Sequence, residues 1–300
     1  MSKTRILLVS DVHYTTEETR QQLREKYPGA NGSTANGPIL GYTQKERLDF
    51  LLECINKEHE KEPLNAILMP GDLSIDDYDF RHLPYNYCEK FRDDYMAKFP
   101  APACAGPGNH DSYSDEQWHA MFGHNRQFSV VVKGALFLMA DTYHAPADGA
   151  SGSPYTHFDI AWAKREMEIY KDMPVFILAH YLWPHRESEE FAAFLRENPR
   201  IAAIFVGHSH RYEVIRLDEA YGSKSIYDIG GFSYYTLPTD GVWDFNMFHA
   251  EWRWGYQMLE YDETGFRTWH VFPERLYHAH NGDFDMPLEI TPAEEIKFLK

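Results

Sequence analysis

The chain has 300 residues, enough for one large domain or two of ordinary size, and its 43% hydrophobic and 25% charged content leaves no room for long disorder. A formal charge of -17 sets most of the surface against a phosphate backbone and disfavours a dedicated nucleic-acid binder. Cys54, Cys88 and Cys104 are odd in number and widely spaced, which suits neither a disulfide framework nor a zinc knuckle, and they are read as reduced thiols.

The first apolar run, residues 6–9, follows the N-terminal residues directly and is too short for a signal peptide. No stretch approaches a membrane span, so a cytoplasmic protein is expected. Residues 27–41 are dense in glycine, proline and asparagine, which is turn chemistry. Thr43, Gln44, Lys45 and Glu46 then form a capping box, and Leu48, Leu51, Leu52 and Ile55 follow at helical spacing. Further unalternating apolar runs at 66–69, 137–140, 175–179 and 201–206 predict strands covered on both faces. Helices are predicted at 158–170 and at 187–197, the latter closed by Asn198 and Pro199. After Tyr212 the pattern changes to strands joined by turns, at 214–217, 225–229, 256–261 and 266–272, with a hairpin turn at 262–265.

Strands alternating with helices predict an α/β layered fold. The later strands are expected to form a second sheet packed on the first. The whole chain, 1–300, is then one domain, a four-layer α/β/β/α sandwich of two mixed sheets with outer helices. Segments 27–41 and the aromatic-rich 231–256 are candidate covers for a site, local packing being the alternative.

Polar residues sit where the apolar runs stop. Residues 6–10 lead into Asp11, Val12 and His13; 66–70 lead into Gly71 and Asp72; 201–206 lead into Gly207, His208, Ser209 and His210. His180 closes the 175–179 run, and Gly108, Asn109, His110 and Asp111 follow another short apolar segment. The carboxyl ends of strands converge on the crevice where ligands bind in α/β sheets. Singly, each signal has a plain alternative: a cap, an Asx turn or a core histidine. Together they place metal-ligand residue types at successive strand ends, in order.

That order, Asp-x-His, Gly-Asp, Gly-Asn-His-Asp, a lone His and Gly-His-x-His, resembles the signature of calcineurin-like metallophosphoesterases over about two thirds of the chain. The resemblance implies that Asp11, His13, Asp72 and His210 bind one divalent metal and that Asp72, Asn109, His180 and His208 bind a second, with Asp72 as the bridge. Imidazole nitrogen with carboxylate or amide oxygen suits Mn, Fe, Zn, Co or Ni. Two cations roughly 3.5–4 Å apart can clamp a phosphoryl group and lower the pKa of a bound water towards neutrality, and the resulting hydroxide would attack in line with the leaving oxygen. His110, not a ligand in the resembled family, is implied to protonate the leaving alkoxide or to steady the transition state. Asp111 is expected to orient His110 or its loop, a simple turn-stabilising role being the alternative.

The chain departs from some relatives at two places. Tyr181, Leu182, Trp183 and Pro184 follow His180 in place of a second histidine and proline. Leu73, Ser74 and Ile75 follow Asp72, so the tyrosine that purple acid phosphatases place three residues on is absent and a charge-transfer ferric site is not expected. His144, His185 and His249 lie in loops within possible reach of the cleft. Ile39, Leu40, Gly41 and Tyr42 leading into a helix, with Gly71, Asp72, Leu73 and Ser74, bear a loose likeness to the cyclic nucleotide and glycerophosphodiester branch, which implies a small anionic phosphodiester as substrate. The alternatives are a phosphomonoesterase and a non-catalytic module that retains the fold. The sequence leaves oligomeric state open.

Overall fold

The computed structural model describes residues 3–14, 16, 44–74, 86–143, 154–232, 238–239, 242–243, 254–279 and 282–298. Segment 27–41, most of 231–256, Thr43, His144 and His249 lie outside these residues.

In chain order the first elements are β1 (Thr4–Leu8), α1 (Gln44–Lys61), β2 (Ala66–Pro70), α2 (Tyr87–Asp94), β3 (Ala103–Gly106) and α3 (Asp115–Phe122). Next come β4 (Phe128–Val132), β5 (Ala135–Ala140), α4 (Ile160–Ile169), β6 (Val175–Ala179), α5 (Glu189–Glu197), β7 (Ile201–Val206), β8 (Val214–Arg216) and β9 (Ser225–Asp228). The remainder is β10 (Pro238–Thr239), β11 (Val242–Trp243), β12 (Tyr256–Tyr261), β13 (Gly265–Phe272), β14 (Arg275–Ala279), β15 (Gly282–Met286), β16 (Glu289–Ile290) and β17 (Glu294–Lys297).

One sheet runs β16-β13-β12-β1-β2-β3, with β17 also on β13, and the other runs β4-β5-β6-β7-β9-β8. Both mix parallel and antiparallel pairs. Alternate side chains of each strand enter different layers. Ile6, Leu8 and Leu68 meet Phe137, Phe176 and Phe205 between the sheets. Leu7, Ile67 and Met69 face the outer helices through Leu51, Ile55, Phe91 and Trp118. On the far side Leu138, Ile177 and Ile204 pack under Trp162, Phe191 and Phe194. The absence of alternation in the apolar runs follows from this double burial, and the four-layer expectation holds.

One expectation is corrected. The four strands predicted after Tyr212 do not form a sheet of their own: β8 and β9 extend the β7 edge, whereas β12 and β13 return to β1; β10 with β11 and β14 with β15 make separate two-stranded sheets. The early strands are divided likewise, β1 to β3 in one sheet and β5 to β7 in the other. Apolar periodicity reports burial and is blind to sheet membership. Pairing is decided by side chains such as Arg5, which stands opposite Glu260 across β1 and β12 and bonds it at 3.0 Å in a buried site.

Candidate metal centre

The loops that leave β1 and β2 continue side by side beyond the sheet. Asp11 N donates to Gly71 O at 3.1 Å, His13 N to Asp72 O at 3.0 Å and Tyr14 N to Leu73 O at 2.8 Å. This pairing sets Asp11, His13 and Asp72 at one mouth. From the other sheet, Gly207 N donates to His180 O at 2.7 Å, which joins the ends of β6 and β7. Asp11 Oδ2 then accepts from His208 N at 2.9 Å, and Asp72 Oδ1 accepts from His110 N at 2.9 Å.

The predicted residues are brought together in two adjoining groups. In the first, Asp11 Oδ1 lies 3.3 Å from His210 Nε2, and His13 Nε2 lies 3.2 Å from His210 Nε2. In the second, Asn109 Oδ1 is 2.8 Å from His208 Nδ1 and 3.0 Å from His180 Nε2. Asp72 Oδ2 faces both, 3.7 Å from His13 Nε2 and 3.2 Å from His180 Nε2. His110 stands at the rim, half-buried, with Nε2 3.9 Å from that same oxygen.

This arrangement is held against backbone preference. Asp11, His13, Asp72, His208 and His210 all adopt left-handed φ, between +43° and +69°. Non-glycine residues persist there only where surrounding contacts over-determine them. The glycines beside them leave room for the ligands. A methyl on Gly108 would fall 2.1 Å from Asp72 Oδ1, and one on Gly207 would fall 2.3 Å from Asp11 Oδ2.

The electrostatics favour a cation. Burial raises the Asp11 carboxyl, but His210 and His180 outweigh it and hold it at about 2. Asp72 is opposed by burial in the same way and is held well below the usual range by His180 and His110. In turn the two carboxylates overcome burial and raise His180 to about 9, so the pocket draws positive charge to itself. Burial keeps His13 well below the ordinary imidazole value and His208 at about 4, and neutral imidazole is the ligating form. Asp11 Oδ1 is buried with no well-formed hydrogen bond among the described residues, His210 Nε2 lying 3.3 Å away, and a divalent ion would satisfy it. The donor sets Asp11–His13–His210 and Asp72–His180–His208 each converge within 4.8 Å, and Asn109 completes the second, so the residues present fit divalent metal ions.

Behind the ligands, Asp111 braces the loops. Its carboxylate accepts from Leu73 N at 3.1 Å, Ser74 N at 2.9 Å and Gly108 N at 2.9 Å, tying the β2 and β3 loops together. Arg126, buried, bonds Asp111 O at 2.9 Å and the Asp141 carboxylate at 2.8 Å, linking that loop to the end of β5. His180 Nδ1 meets Pro70 O at 3.1 Å, which leaves Nε2 for the pocket. Sequence reasoning missed Arg126 and Tyr143, whose ring lies 5.5 Å from His180 and 5.7 Å from His208. Neither sits in a motif. Tyr181 and Trp183 are also beside His208, at 4.9 and 6.4 Å, and the exposed His185 stacks on Trp183.

A layered sandwich that aims carboxylates, imidazoles and an amide oxygen from two sheets into one mouth defines the class of metallohydrolases. The family model for calcineurin-like phosphoesterases matches residues 4–212, and the chain belongs to that family of metal-dependent phosphoester hydrolases. A comparison with curated protein sequences gives no match. Among solved structures, a dimetal phosphatase from Danio rerio is similar at a TM-score of 0.56 and 12% identity, over 96% of this chain and 98% of that one. A purple acid phosphatase from yellow lupin (Lupinus luteus) seeds gives 0.55 and 12%; the match covers 90% of this chain and 51%, about half, of the lupin chain. A Plasmodium protein described as the anchor in the inner membrane complex gives 0.53 and 14%, over 100% of this chain and 90% of that one. At these identities the likeness is one of fold.

Proposed function

We propose that the protein hydrolyses a small phosphodiester with two divalent cations, Mn, Fe, Zn, Co or Ni, held by Asp11, His13, Asp72 and His210 and by Asp72, Asn109, His180 and His208. The observation that carries this reading is the single Asp72 oxygen facing His13 and His180 at 3.7 and 3.2 Å, the geometry of a bridging carboxylate. Two such cations supply Lewis acidity and a water that ionises near neutral pH. With only Asp11 and Asp72 to offset them, the pocket becomes a local anion sink in a chain of formal charge -17.

The chain's own groups do the rest. His110, oriented through its backbone bond to Asp72 Oδ1, gives a proton to the leaving alkoxide from the pocket rim. Asp72 would serve both cation sites, and it carries that backbone bond. Tyr143, Tyr181 and Trp183 form an aromatic wall beside His208, which suits the second ester substituent of a diester better than the extra charge of a monoester. Buried free thiols at Cys54 and Cys88 support a reducing compartment such as the cytoplasm. One domain suffices for this activity, since β1 and β12, from opposite ends of the chain, are neighbours in one sheet.

Parallel turnover of bis-para-nitrophenyl phosphate and para-nitrophenyl phosphate at saturating Mn2+ tests the substrate class. The diester is expected to turn over faster; preference for the monoester overturns the diester reading and leaves the family assignment standing.

A further inference from the structure

His208 and His210 are separated by one residue, Ser209, and both flank it with left-handed backbone, φ +69° and +54°. Two strained positions on either side of one residue need an external anchor. Ser209 supplies it by turning away from the ligands: its Oγ donates to Asp228 Oδ2 and accepts from Arg211 N at 3.2 Å.

Asp228 ends β9, directly opposite Val206 of β7, and is 1% exposed. Its second carboxylate oxygen accepts from Gly230 N at 3.0 Å. Its carbonyl bonds His270 Nε2 at 2.9 Å, and His270 belongs to β13 in the other sheet. Tyr212, edge-on to His270 at 5.3 Å, donates to Gly231 O at 2.8 Å. A methyl on Gly231 would meet His210 Nδ1 at 2.8 Å, so this segment passes close behind the ligand. The turn that carries two ligands is thus latched to β9, and through β9 to the opposite sheet.

We propose that Ser209 and Asp228 are positioning residues for the dinuclear centre: their hydrogen bond fixes the spacing of His208 and His210, one from each ligand set, so that it governs the affinity for both cations together. The proposal rests on the dinuclear reading above. Losing a hydrogen bond that orients a ligand typically weakens metal affinity by about 10–100-fold.

The test uses the full chain reconstituted with Mn2+. Affinity is measured by competition with a chromophoric chelator and metal content by elemental analysis, alongside thermal melts, for Ser209→Ala, Asp228→Ala, Asp228→Asn and the double alanine variant. Ser209→Ala is expected to keep the wild-type fold and to weaken retention of both ions by about 10–100-fold. Asp228→Ala, which also strips Gly230 N of its acceptor, should weaken retention at least as much, the double variant should be no worse than Asp228→Ala, and Asp228→Asn, which keeps a hydrogen-bonding group of the same shape, should lie nearer wild type. Wild-type affinity in Ser209→Ala, loss of one ion alone, or multiplicative losses in the double variant would each overturn the latch. Failure of the wild-type chain itself to bind two ions is a separate result: it removes the dinuclear reading, and the latch with it.

Discussion

One oxygen of Asp72 lies 3.7 Å from His13, 3.9 Å from His110 and 3.2 Å from His180, so three imidazoles are organised around a single buried carboxylate. His110 differs from the other two in standing partly exposed at the rim; although it converges with His13 and Asp72 within 4.8 Å, in the proposed function it takes the proton-donor role in place of a ligand's. His110→Ala should therefore keep both metals, by elemental analysis, while steady-state turnover falls by about 10²–10⁴-fold. Unchanged turnover would remove the proton-donor role. The candidate ligand residues are legible because the chemistry admits few residue types and the chain presents them in a fixed order after apolar runs. Their backbone was not. Nothing in the letters of Asp11, His13, Asp72, His208 or His210 announces left-handed φ, a conformation more usual for glycine or asparagine. Nor does the sequence pair Ser209 with Asp228, because that contact exists only once β7 and β9 are neighbours.

Elements determine whether the ligands stay in place. Asp111 takes hydrogen bonds from three backbone amides on two loops, so Asp111→Ala would leave three buried donors without their acceptor. The expected cost is about 3 kcal/mol or more of unfolding free energy, read from urea titrations with unchanged m-value, together with weaker metal retention. A loss of stability within error of zero would show that water replaces the carboxylate. The apolar runs revealed most central strands to within two residues, because a strand buried on both faces has no polar face to disguise it. Helices α2 and α3 were not singled out, although Ser114 and Gln117 form a capping box that starts α3. Their short length and mixed composition gave little periodicity. The division of strands between two sheets was hidden for a different reason: it depends on pairs remote in sequence, such as Arg5 with Glu260.

At the scale of the molecule, the proposed ligands come from both sheets, β1 to β3 supplying Asp11, His13, Asp72 and Asn109, and β6 and β7 supplying the rest. Bound cations would cross-link the sandwich. Removal with EDTA should lower the melting temperature by several degrees, with recovery on adding Mn2+ in proportion to log concentration, equivalent to about 3 kcal/mol at a hundredfold excess over Kd. Buried His270 adds a pH dependence of its own. Burial lowers it from 6.5 to about 4, so the unfolded chain takes up the proton first. Its contribution, up to about 3 kcal/mol, is complete above pH 6.5 and is lost as pH falls towards 4. His270→Gln, whose amide can donate to the same carbonyl, should flatten this limb in urea midpoints compared at pH 7 and pH 4.5.

The placement of β12 against β1 has a kinetic side. The strand that delivers Asp11 and His13 acquires its antiparallel neighbour only when residues 256–261 arrive, some 250 positions later along the polypeptide. Such distant closure is slow, so hydrolytic competence during refolding should appear late, after the secondary structure has already formed. Until that moment an unsatisfied edge of the nascent first sheet stays open to solvent and to other chains, which makes dilute conditions favourable for recovery in vitro.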